Sequence, residues 1–337
     1  MKLVLDAMGG DHAPDQIVKG ALEVLDDLGE DRLVLVGDES RLQELLKARP
    51  DWQDYLSVVH APEVIGMDES PVDALRRKRK SSIAMMAKMA SDGEADVVIS
   101  AGNTGACVAS CQLRMRLLPG VLRPGILVIF PTMNGPVAIC DVGANVTPKP
   151  VHLHQYAAMG CLYMQAVVGI QSPTVGLMSI GEEDTKGNDL IKKANQMLRE
   201  DAHLEFIGNV EAREVLNKPC DVIVCDGFVG NVVLKMAEGI AEGLFRAVNH
   251  ELTRLKPELV QEFKPIMQSV YAQHDHTEYG GAPLLGVDGF CIICHGASDA
   301  RAIRNAILRA RELAQTGINQ KLVDWLQEIP VSELEAS

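Results

Sequence analysis

The sequence lacks the glycine patterns that mark the most common nucleotide-binding and hydrolytic enzymes. It has neither the Gly-x-Gly-x-x-Gly spacing of dinucleotide-binding enzymes nor the Gly-x-x-x-x-Gly-Lys-Ser/Thr spacing of P-loop proteins. The Gly-x-Ser-x-Gly turn that presents the nucleophile of α/β-hydrolases is also missing. The pair Gly9-Gly10 follows an apolar run, but no third glycine or ribose-binding acid stands at the expected distance. These absences argue against nucleotide-dependent and serine-hydrolase chemistry.

Positive charge and long apolar runs are also scarce. The chain has 32 Lys and Arg against 46 Asp and Glu, a formal net charge of -14. Because contacts to nucleic-acid phosphates need surplus positive charge, we expect no nucleic-acid partner. No stretch approaches about eighteen uninterrupted apolar residues, and the first residues do not have the pattern of a signal peptide. We therefore expect a cytoplasmic protein whose eight cysteines are reduced thiols.

Strand signals alternate with helical spacing along most of the chain, which predicts an α/β fold with a mostly parallel sheet. Strand signals lie at residues 2–6, 32–37, 56–60, 95–100, 174–180, 222–225 and 290–294, and helical spacing at 17–28, 39–48, 80–91, 151–168, 190–200 and 298–314. The apolar runs 125–131 and 136–141 flank Asn134-Gly135, which predicts an antiparallel hairpin. We expect one domain over residues 1–337, or two lobes that meet near residues 125–145.

The C-terminal third departs from this alternation. In residues 250–275 charged and apolar positions interleave, and Pro257 and Pro265 are expected to cut the helices into short pieces. This segment is interpreted as a helical protrusion that packs on itself or on a second copy, with a membrane surface as the alternative. Residues 280–283 are predicted to form a loop.

Two polar turns follow predicted strands and carry the chemistry that we expect. The first is Gly181-Glu182-Glu183-Asp184-Thr185-Lys186-Gly187-Asn188, and the second is Asp226-Gly227-Phe228-Val229-Gly230-Asn231. A turn between a strand and a helix offers free backbone N–H groups and the positive end of the helix dipole. Lys186 adds a full positive charge there. The two turns predict a site that binds phosphate and stabilises an oxyanion.

Several cysteine and histidine patterns suggest metal or haem binding but have simpler interpretations. Cys291-Ile292-Ile293-Cys294-His295 matches the pattern of c-type haem attachment, yet it lies in a predicted strand where its two cysteines face opposite sides. Cys107 and Cys111 share one helical face, which suits a metal ion or core packing, and packing is favoured. His274-Asp275-His276 lacks further zinc ligands and is interpreted as an exposed loop.

One dense basic run stands out on this acidic chain: Arg76, Arg77, Lys78, Arg79 and Lys80. It is interpreted either as an exposed helix face or as a local docking site for an acidic partner or a phosphorylated substrate. Local potential rather than net charge steers association, so the docking interpretation is compatible with the overall negative charge.

The combined motifs resemble those of the bacterial acyl-ACP:phosphate acyltransferases of phospholipid synthesis. The resemblance covers nearly the whole chain in order and depends on residues 6–11, 100–106, 181–187, 226–231, 279–282 and 295–298. It implies a three-layer α/β/α sandwich like that of isocitrate and isopropylmalate dehydrogenases, shared with phosphotransacetylases, in a homodimer. It also implies that a long-chain acyl-acyl-carrier-protein reacts with inorganic phosphate to give acyl-phosphate, which a membrane glycerol-3-phosphate acyltransferase consumes. No cofactor or metal is implied.

The resemblance also assigns residues and a location. Lys186 and Asn231 match the residues most closely tied to activity. The expected phosphate- and substrate-binding residues are Asp6, Gly9, Gly10, Asn103, Thr104, Gly105, Asn145, Thr185, Gly187, Asn188, Gly227, Gly230 and Gly281. Family members are peripheral to the membrane, so we expect association with its inner face. Because the carrier protein is acidic, the run from Arg76 to Lys80 is its expected docking site.

The mechanism expected from these residues is direct attack of phosphate on the thioester, with Lys186 neutralising charge and Asn231 holding the developing oxyanion. A covalent acyl-cysteine route, for example through Cys107, is the competing route for the same reaction. Three different functions compete with this reaction: a phosphotransacetylase-like acyl-CoA acyltransferase, a metal- and NAD-dependent hydroxyacid dehydrogenase, and a non-catalytic membrane adaptor. The dehydrogenase needs a cluster of metal-binding aspartates that the sequence does not provide.

Overall fold

The computed structural model describes residues 1–274 and 280–328, and the strands in these residues form one continuous sheet. The eleven strands of this sheet are β1 Lys2–Asp6, β2 Arg32–Gly37, β3 Leu56–His60, β4 Val97–Ser100, β5 Gly125–Thr132, β6 Gly135–Cys140, β7 Thr174–Ser179, β8 Glu205–Glu211, β9 Val222–Val224, β10 Ala282–Leu285 and β11 Phe290–Ile293. Their spatial order is β3-β2-β1-β4-β11-β10-β5-β6-β9-β7-β8. All the predicted strands are present, whereas β8 and β10 were not predicted.

The sheet has two parallel halves that run in opposite directions. One half contains β3, β2, β1, β4 and β11, and the other contains β6, β9, β7 and β8. Between them, the pairs β11/β10, β10/β5 and β5/β6 are antiparallel. The predicted hairpin is confirmed, with Thr132 opposite Gly135, and it lies where the strand direction reverses. Because β7 and β9 are neighbours, the two turns that follow them leave the same edge of the sheet.

The prediction of a loop at residues 280–283 was wrong, because Ala282 and Pro283 belong to β10. A proline such as Pro283 is unusual in a central strand, because proline cannot donate a hydrogen bond to a neighbouring strand. The structure shows how it is accommodated. Ala282 and Pro283 pair only with β11, and pairing with β5 begins after them, at Leu284. Pro283 therefore has a ladder neighbour on one side only.

Helices cover both faces of the sheet, which confirms the predicted three-layer α/β/α arrangement. The helices of the described residues are α1 Asp15–Glu23, α2 Glu39–Leu46, α3 Pro71–Arg77, α4 Ser82–Ser91, α5 Thr104–Arg114, α6 Pro150–Tyr163, α7 Asp189–Glu200, α8 Gly227–Leu255, α9 Val260–His274, α10 Ala300–Gln315 and α11 Ile318–Glu328. One core layer packs under α1, α2, α6, α7, α10 and α11, and the other under α4, α5 and α8. In β1, for example, Leu3 and Leu5 enter the first layer and Val4 the second.

The segment predicted to be a helical protrusion, residues 250–275, contains the end of α8 and all of α9, and its helices begin earlier and are less interrupted than expected. Pro265 lies inside α9 and does not end it, so the prediction of a break there was wrong. The ladder bond that Pro265 lacks would go to the carbonyl of Gln261, and Gln261 is exposed, so water can satisfy that carbonyl. A stripe of exposed apolar side chains runs along α8 at four-residue spacing: Phe228, Val232, Met236, Ile240, Leu244 and Val248. Among the helices that the structure describes, none is both long and apolar enough to cross a membrane.

Candidate active site

A cavity of about 220 Å³ lies where the first turns of α5 and α8 and the segment after β11 approach β5. Its walls combine a large apolar part with a few convergent polar groups. The apolar side chains include Met67, Ile126, Val128, Val142, Leu234 and Ile293, and the polar ones are Thr104, Asn231, Lys235, His295 and Ser298. Apolar walls with a few placed polar groups are typical of sites that bind small molecules and reactive groups.

The N-terminus of α5 supplies the backbone donors of this cavity. Asn103 is its N-cap, because Asn103 Oδ1 accepts from the Ala106 N–H at 3.0 Å. Asn103 Nδ2 donates to the carbonyl oxygens of Met67 and Glu69, so the side chain holds the loop before α3 and is not available to a substrate. In the described part of the chain, the N–H groups of Thr104 and Gly105 donate to no protein acceptor. These two N–H groups and the positive end of α5 can therefore bind an anion beside Thr104.

The N-terminus of α8 was predicted to offer free backbone N–H groups, but these groups already donate hydrogen bonds within the protein. Asp226 Oδ1 accepts from the Phe228 and Val229 N–H groups, at 3.0 and 2.9 Å. The Gly227 N–H donates to Asn145 O, and the Gly230 N–H to Asp226 O. The prediction of free backbone donors at this turn was therefore wrong. Of the residues in this turn, Asn231 is the one that lines the cavity.

Lys235 lies one helical turn after Asn231 and is the lysine in the wall of the cavity. Its ammonium group is 2.9 Å from the Glu238 carboxylate, and its side chain is 45% exposed. Sequence reasoning missed Lys235 because it chose residues inside the motif, although the i,i+4 spacing from Asn231 places both side chains on one helix face. His295 and Ser298 were quoted only as part of a motif, and the structure places both in the cavity wall.

The glycines at the start of α8 permit a close approach between that helix and the loop after β6. A Cβ on Gly230 would lie 2.0 Å from Asp141 O, and a Cβ on Gly227 would lie 2.7 Å from Asp141 Oδ2. The buried Asp141 carboxylate accepts from four backbone N–H groups, among them those of Ile126 at 3.0 Å and Asn145 at 2.6 Å. Burial raises the pKa of the Asp141 carboxyl, and these hydrogen bonds oppose that rise. Gly227 and Gly230 therefore shape the site through packing.

Asn145 belongs to the same internal network. Its side-chain Nδ2 donates to Pro124 O at 2.6 Å and to the Tyr156 hydroxyl at 2.7 Å. Both side-chain N–H donors thus have protein partners, and the structure places Asn145 in the support of the loop between β6 and α6.

Asp6 ends β1, and Gly9 and Gly10 lie in the turn that follows; together they support the N-terminus of α5. Asp6 is fully buried and accepts from the Ser100 hydroxyl at 2.7 Å. Burial raises the pKa of the Asp6 carboxyl, against the opposing effect of that hydrogen bond. A Cβ on Gly9 would lie 2.6 Å from the Gly102 nitrogen, so only glycine allows the two turns to meet. The structure therefore gives Asp6 a supporting role away from solvent.

The turn after β7 carries Lys186, Thr185 and Asn188, all of them exposed. Asn188 is the N-cap of α7, because its Oδ1 accepts from the Ile191 N–H at 3.0 Å. Asp184 pairs with Arg199 at 2.7 Å, so it does not orient Lys186. Gly187 has a φ of 93°, which allows the chain to turn into α7. Lys186 forms no ion pair with any residue that the structure describes.

The basic run lies at the end of α3 beside a second, larger cavity. This second cavity, which we call the α3–α5 groove, has a volume of about 530 Å³. Its walls include Val72, Leu75, Leu113, Arg76, Arg79 and Arg114. Lys78 differs from its neighbours, because its Nζ donates to Val64 O at 2.7 Å and pairs with Glu69. Lys80 and Arg77 are exposed, and neither contributes to the wall of the groove. Two of the five predicted docking residues therefore rim an apolar groove.

The structure bears on two sequence patterns that suggested metal or haem binding, the one at residues 291–295 and the one at residues 274–276. Cys291 and Cys294 enter core layers on opposite faces of the sheet, as expected for a strand. Asp275, His276 and Tyr279 lie outside the described residues, as does the side chain of His274.

Comparisons with known proteins identify the family of this chain. Residues 1–321 match the model of the family described as "Fatty acid synthesis protein". The phosphate acyltransferase of Desulforamulus reducens is 46% identical over 97% of this chain and 98% of that relative, and that of Nostoc punctiforme is 46% identical over 96% and 95%.

Solved structures show the same fold at low sequence identity. A phosphotransacetylase from Streptococcus pyogenes superimposes with a TM-score of 0.61 at 16% identity and covers 94% of each chain. A branched-chain phosphotransacylase from Enterococcus faecalis gives 0.57 at 13% identity, over 94% of this chain and all of the other. The family match and the curated relatives show that the chain belongs to the phosphate acyltransferase family of enzymes.

Proposed function

We propose that this enzyme transfers a long-chain acyl group from acyl-carrier-protein to inorganic phosphate and releases acyl-phosphate and free carrier protein. The observation that carries this proposal is the cavity whose largely apolar wall brings together Thr104, at a helix N-terminus with free backbone N–H groups, and the side chains of Asn231 and Lys235. The first group of donors suits a phosphate, and the second suits the charge that develops on a thioester oxygen.

The chemistry then needs positioning more than acid–base catalysis. A phosphate oxygen attacks the thioester carbonyl carbon, a C–O bond forms, and the carbonyl oxygen takes up negative charge. The Asn231 side-chain amide donates to that oxygen, and Lys235 and Lys186 lower the cost of bringing two anionic centres together. The C–S bond breaks, and the thiolate leaves with its electron pair and takes a proton from solvent. Phosphate is already an anion near neutral pH, so no strong base is required.

The burial of the cysteines argues against the acyl-cysteine route. All eight are buried, and Cys294 is the one among them in the wall of the cavity. Burial raises the pKa of the Cys294 thiol to about 12, so at neutral pH very little of it is the nucleophilic thiolate. Direct attack by phosphate therefore remains the proposed route.

The size of the cavity bears on the substrate. At about 220 Å³ it is smaller than a typical ligand pocket of about 300–1,000 Å³. It can hold phosphate and the thioester end of the substrate, whereas a long acyl chain must extend beyond it over an apolar surface. The side chains of Leu234, Val128 and Met67 give the walls that character.

The test is phosphate-dependent thiol release from palmitoyl-acyl-carrier-protein. We expect release to require inorganic phosphate, and we expect Asn231→Ala to lower kcat by about 10²-fold, because one oxyanion donor is lost. Asn249→Ala, at an exposed position on the same helix, is the matched control and should keep full activity. Release that ignores phosphate would indicate a thioesterase and would contradict the proposal, as would an Asn231→Ala enzyme with wild-type kcat. A preference for acyl-CoA over the carrier-protein substrate would support the phosphotransacetylase-like function.

We also propose that the groove between α3 and α5 is where the acidic carrier protein docks. Arg76, Arg79 and Arg114 surround its apolar floor, so it offers positive charge and apolar contact together on a protein of net charge -14. Helix α5 contributes to both the groove and the cavity, and its first residue, Thr104, lines the cavity. A carrier protein seated there would lie on the helix that binds the phosphate.

Charge reversal tests this docking site. Arg76→Glu combined with Arg79→Glu should raise KM for palmitoyl-acyl-carrier-protein about tenfold, or about 1.4 kcal/mol, with kcat nearly unchanged. The same enzyme should use a palmitoyl-pantetheine thioester as well as the wild type does, because that substrate has no protein surface. Arg213→Glu with Arg254→Glu changes the net charge equally at exposed positions elsewhere, and its KM should not move. Equal KM increases in both double variants would contradict docking of the carrier protein at the groove.

We further propose that the enzyme is a homodimer that associates peripherally with the membrane supplying its acyl-phosphate acceptor enzyme, a glycerol-3-phosphate acyltransferase. The exposed stripe on α8 supports a partner surface, because six apolar side chains at four-residue spacing form one continuous row that winds along the helix. The α9 side chains Phe263, Ile266 and Val270 extend the apolar surface of the same protrusion.

A further inference from the structure

Three cysteines that the reaction does not use converge inside the core. Cys107 and Cys111 lie on α5, and Cys291 lies on β11, which packs beneath that helix. All three are buried, with exposures of 0%, 0% and 1%. Their sulfur atoms lie within 4.8 Å of one another, and Cys107 Sγ is 3.7 Å from Cys291 Sγ. We call this group the α5–β11 thiol cluster.

From this geometry we propose that the α5–β11 thiol cluster is a binding site for a soft monovalent metal ion of the Cu(I) class. Three sulfurs about 2.3 Å from a common metal lie about 4.0 Å apart if the arrangement is trigonal. The distance of 3.7 Å between Cys107 Sγ and Cys291 Sγ is close to that value, and no sulfur pair in the cluster is more than 4.8 Å apart, so binding needs movements of about 1 Å or less. Thiolate ligands select soft ions, and Cu(I) is among the ions that they favour.

The number of ligands narrows the choice of ion. Within residues 1–274 and 280–328, the cluster contains three metal-binding side chains, and a closed structural zinc site needs four. A three-coordinate sulfur site suits Cu(I) better than zinc. The other five cysteines do not form a comparable group in the described part of the chain, so convergence of thiols is not a general result of cysteine burial here.

One member of the cluster lies near a helix N-terminus. Cys107 is the fourth residue of α5, within the first turn, where the positive end of the helix dipole favours a thiolate. Binding would release the thiol protons to solvent as metal–sulfur bonds form.

The position of the cluster links it to the cavity. The first residue of α5 is Thr104, and the chain continues from β11 through Cys294 to His295, all three of which line the cavity. A metal ion held by Cys107 and Cys291 would fix these two elements to each other one turn below the cavity wall.

The test is anaerobic titration of the whole enzyme with Cu(I) in the presence of a competing Cu(I) chelator. We expect one tightly bound ion per chain with ultraviolet sulfur-to-copper charge-transfer absorption. Cys111→Ser and Cys291→Ser should each weaken binding at least tenfold, and Cys161→Ser, at a buried cysteine outside the cluster, should not. Binding that is absent, or equal in all three variants, would overturn the proposal.

A measurement on the unmodified protein covers the case in which a variant does not fold. X-ray absorption of the enzyme loaded with one equivalent of Cu(I) should give three sulfur neighbours at about 2.3 Å. Two sulfur neighbours, or nitrogen and oxygen neighbours, would place the metal elsewhere and refute the site.

Discussion

Lys186→Ala is expected to lower kcat for phosphate-dependent thiol release about 10³-fold while leaving stability unchanged. The side chain is exposed, and it forms no ion pair with the residues that the structure describes, so its loss breaks no ion pair there. Its alkyl chain lies over Gly181, where an added Cβ would be 3.0 Å from Lys186 Cγ. Removing a positive charge that acts on the developing anion costs catalysis and not folding. Steady-state kinetics and urea denaturation measure the two effects.

Lys192→Ala is the matched control, since Lys192 is an exposed lysine on α7, the helix that follows the same turn. It should keep wild-type kcat. The Lys186 side chain is not in the wall of the cavity, so this prediction requires the turn after β7 to approach the bound substrates during the reaction. A Lys186→Ala enzyme with more than about a tenth of wild-type kcat would assign the cationic role to Lys235 instead.

Gly230→Ala is expected to destabilise the protein by about 3 kcal/mol or more. The added Cβ would lie 2.0 Å from Asp141 O and 2.9 Å from Cys225 Sγ. Because the nearest atom belongs to the main chain, no side-chain rotation can relieve the contact, and α8 must move away from the loop after β6. The midpoint of urea denaturation should fall, and residual activity should fall with it because Asn231 is the next residue.

Gly239→Ala is the control on the same helix. A Cβ at Gly239 meets nothing within 4 Å, so alanine should stabilise the protein by about 0.5–1 kcal/mol through its higher helix propensity. If both variants shift the denaturation midpoint in the same direction, the close approach at Gly230 does not limit stability.

Much of the fold could be predicted because its strands are buried on both faces and form apolar runs in the sequence. The strand β8, Glu205–Glu211, was missed because its sequence mixes Glu, Gly and Asn with apolar residues, as suits a strand at the edge of the sheet. The strand β10 was missed because Pro283 and two preceding glycines indicate a loop. The order of the strands depends on pairings between residues far apart in the chain, which local patterns do not encode.

The sequence predicted which motifs lie near the site, but it did not predict the role of each side chain in them. The sequence showed asparagines at turns, but a side-chain amide suits a helix cap, a loop support or a substrate equally well. Asn103 and Asn188 cap helices, Asn145 supports a loop, and Asn231 lines the cavity. Only the three-dimensional surroundings separate these roles. Lys235 could have been found from helical spacing, because it lies four residues after Asn231.

The late position of β10 and β11 in the chain has a consequence for synthesis on the ribosome. These strands fill the middle of the sheet, between β4 and β5, yet they are the last two to be made. After β4 ends at Ser100, about 190 further residues must be added before Ile293 completes its neighbour. At about 5–20 residues per second, the edge of β4 stays unpaired for about 10–40 s. A nascent chain with an open, apolar strand edge for that time is a substrate for chaperones and prone to aggregate when they are saturated.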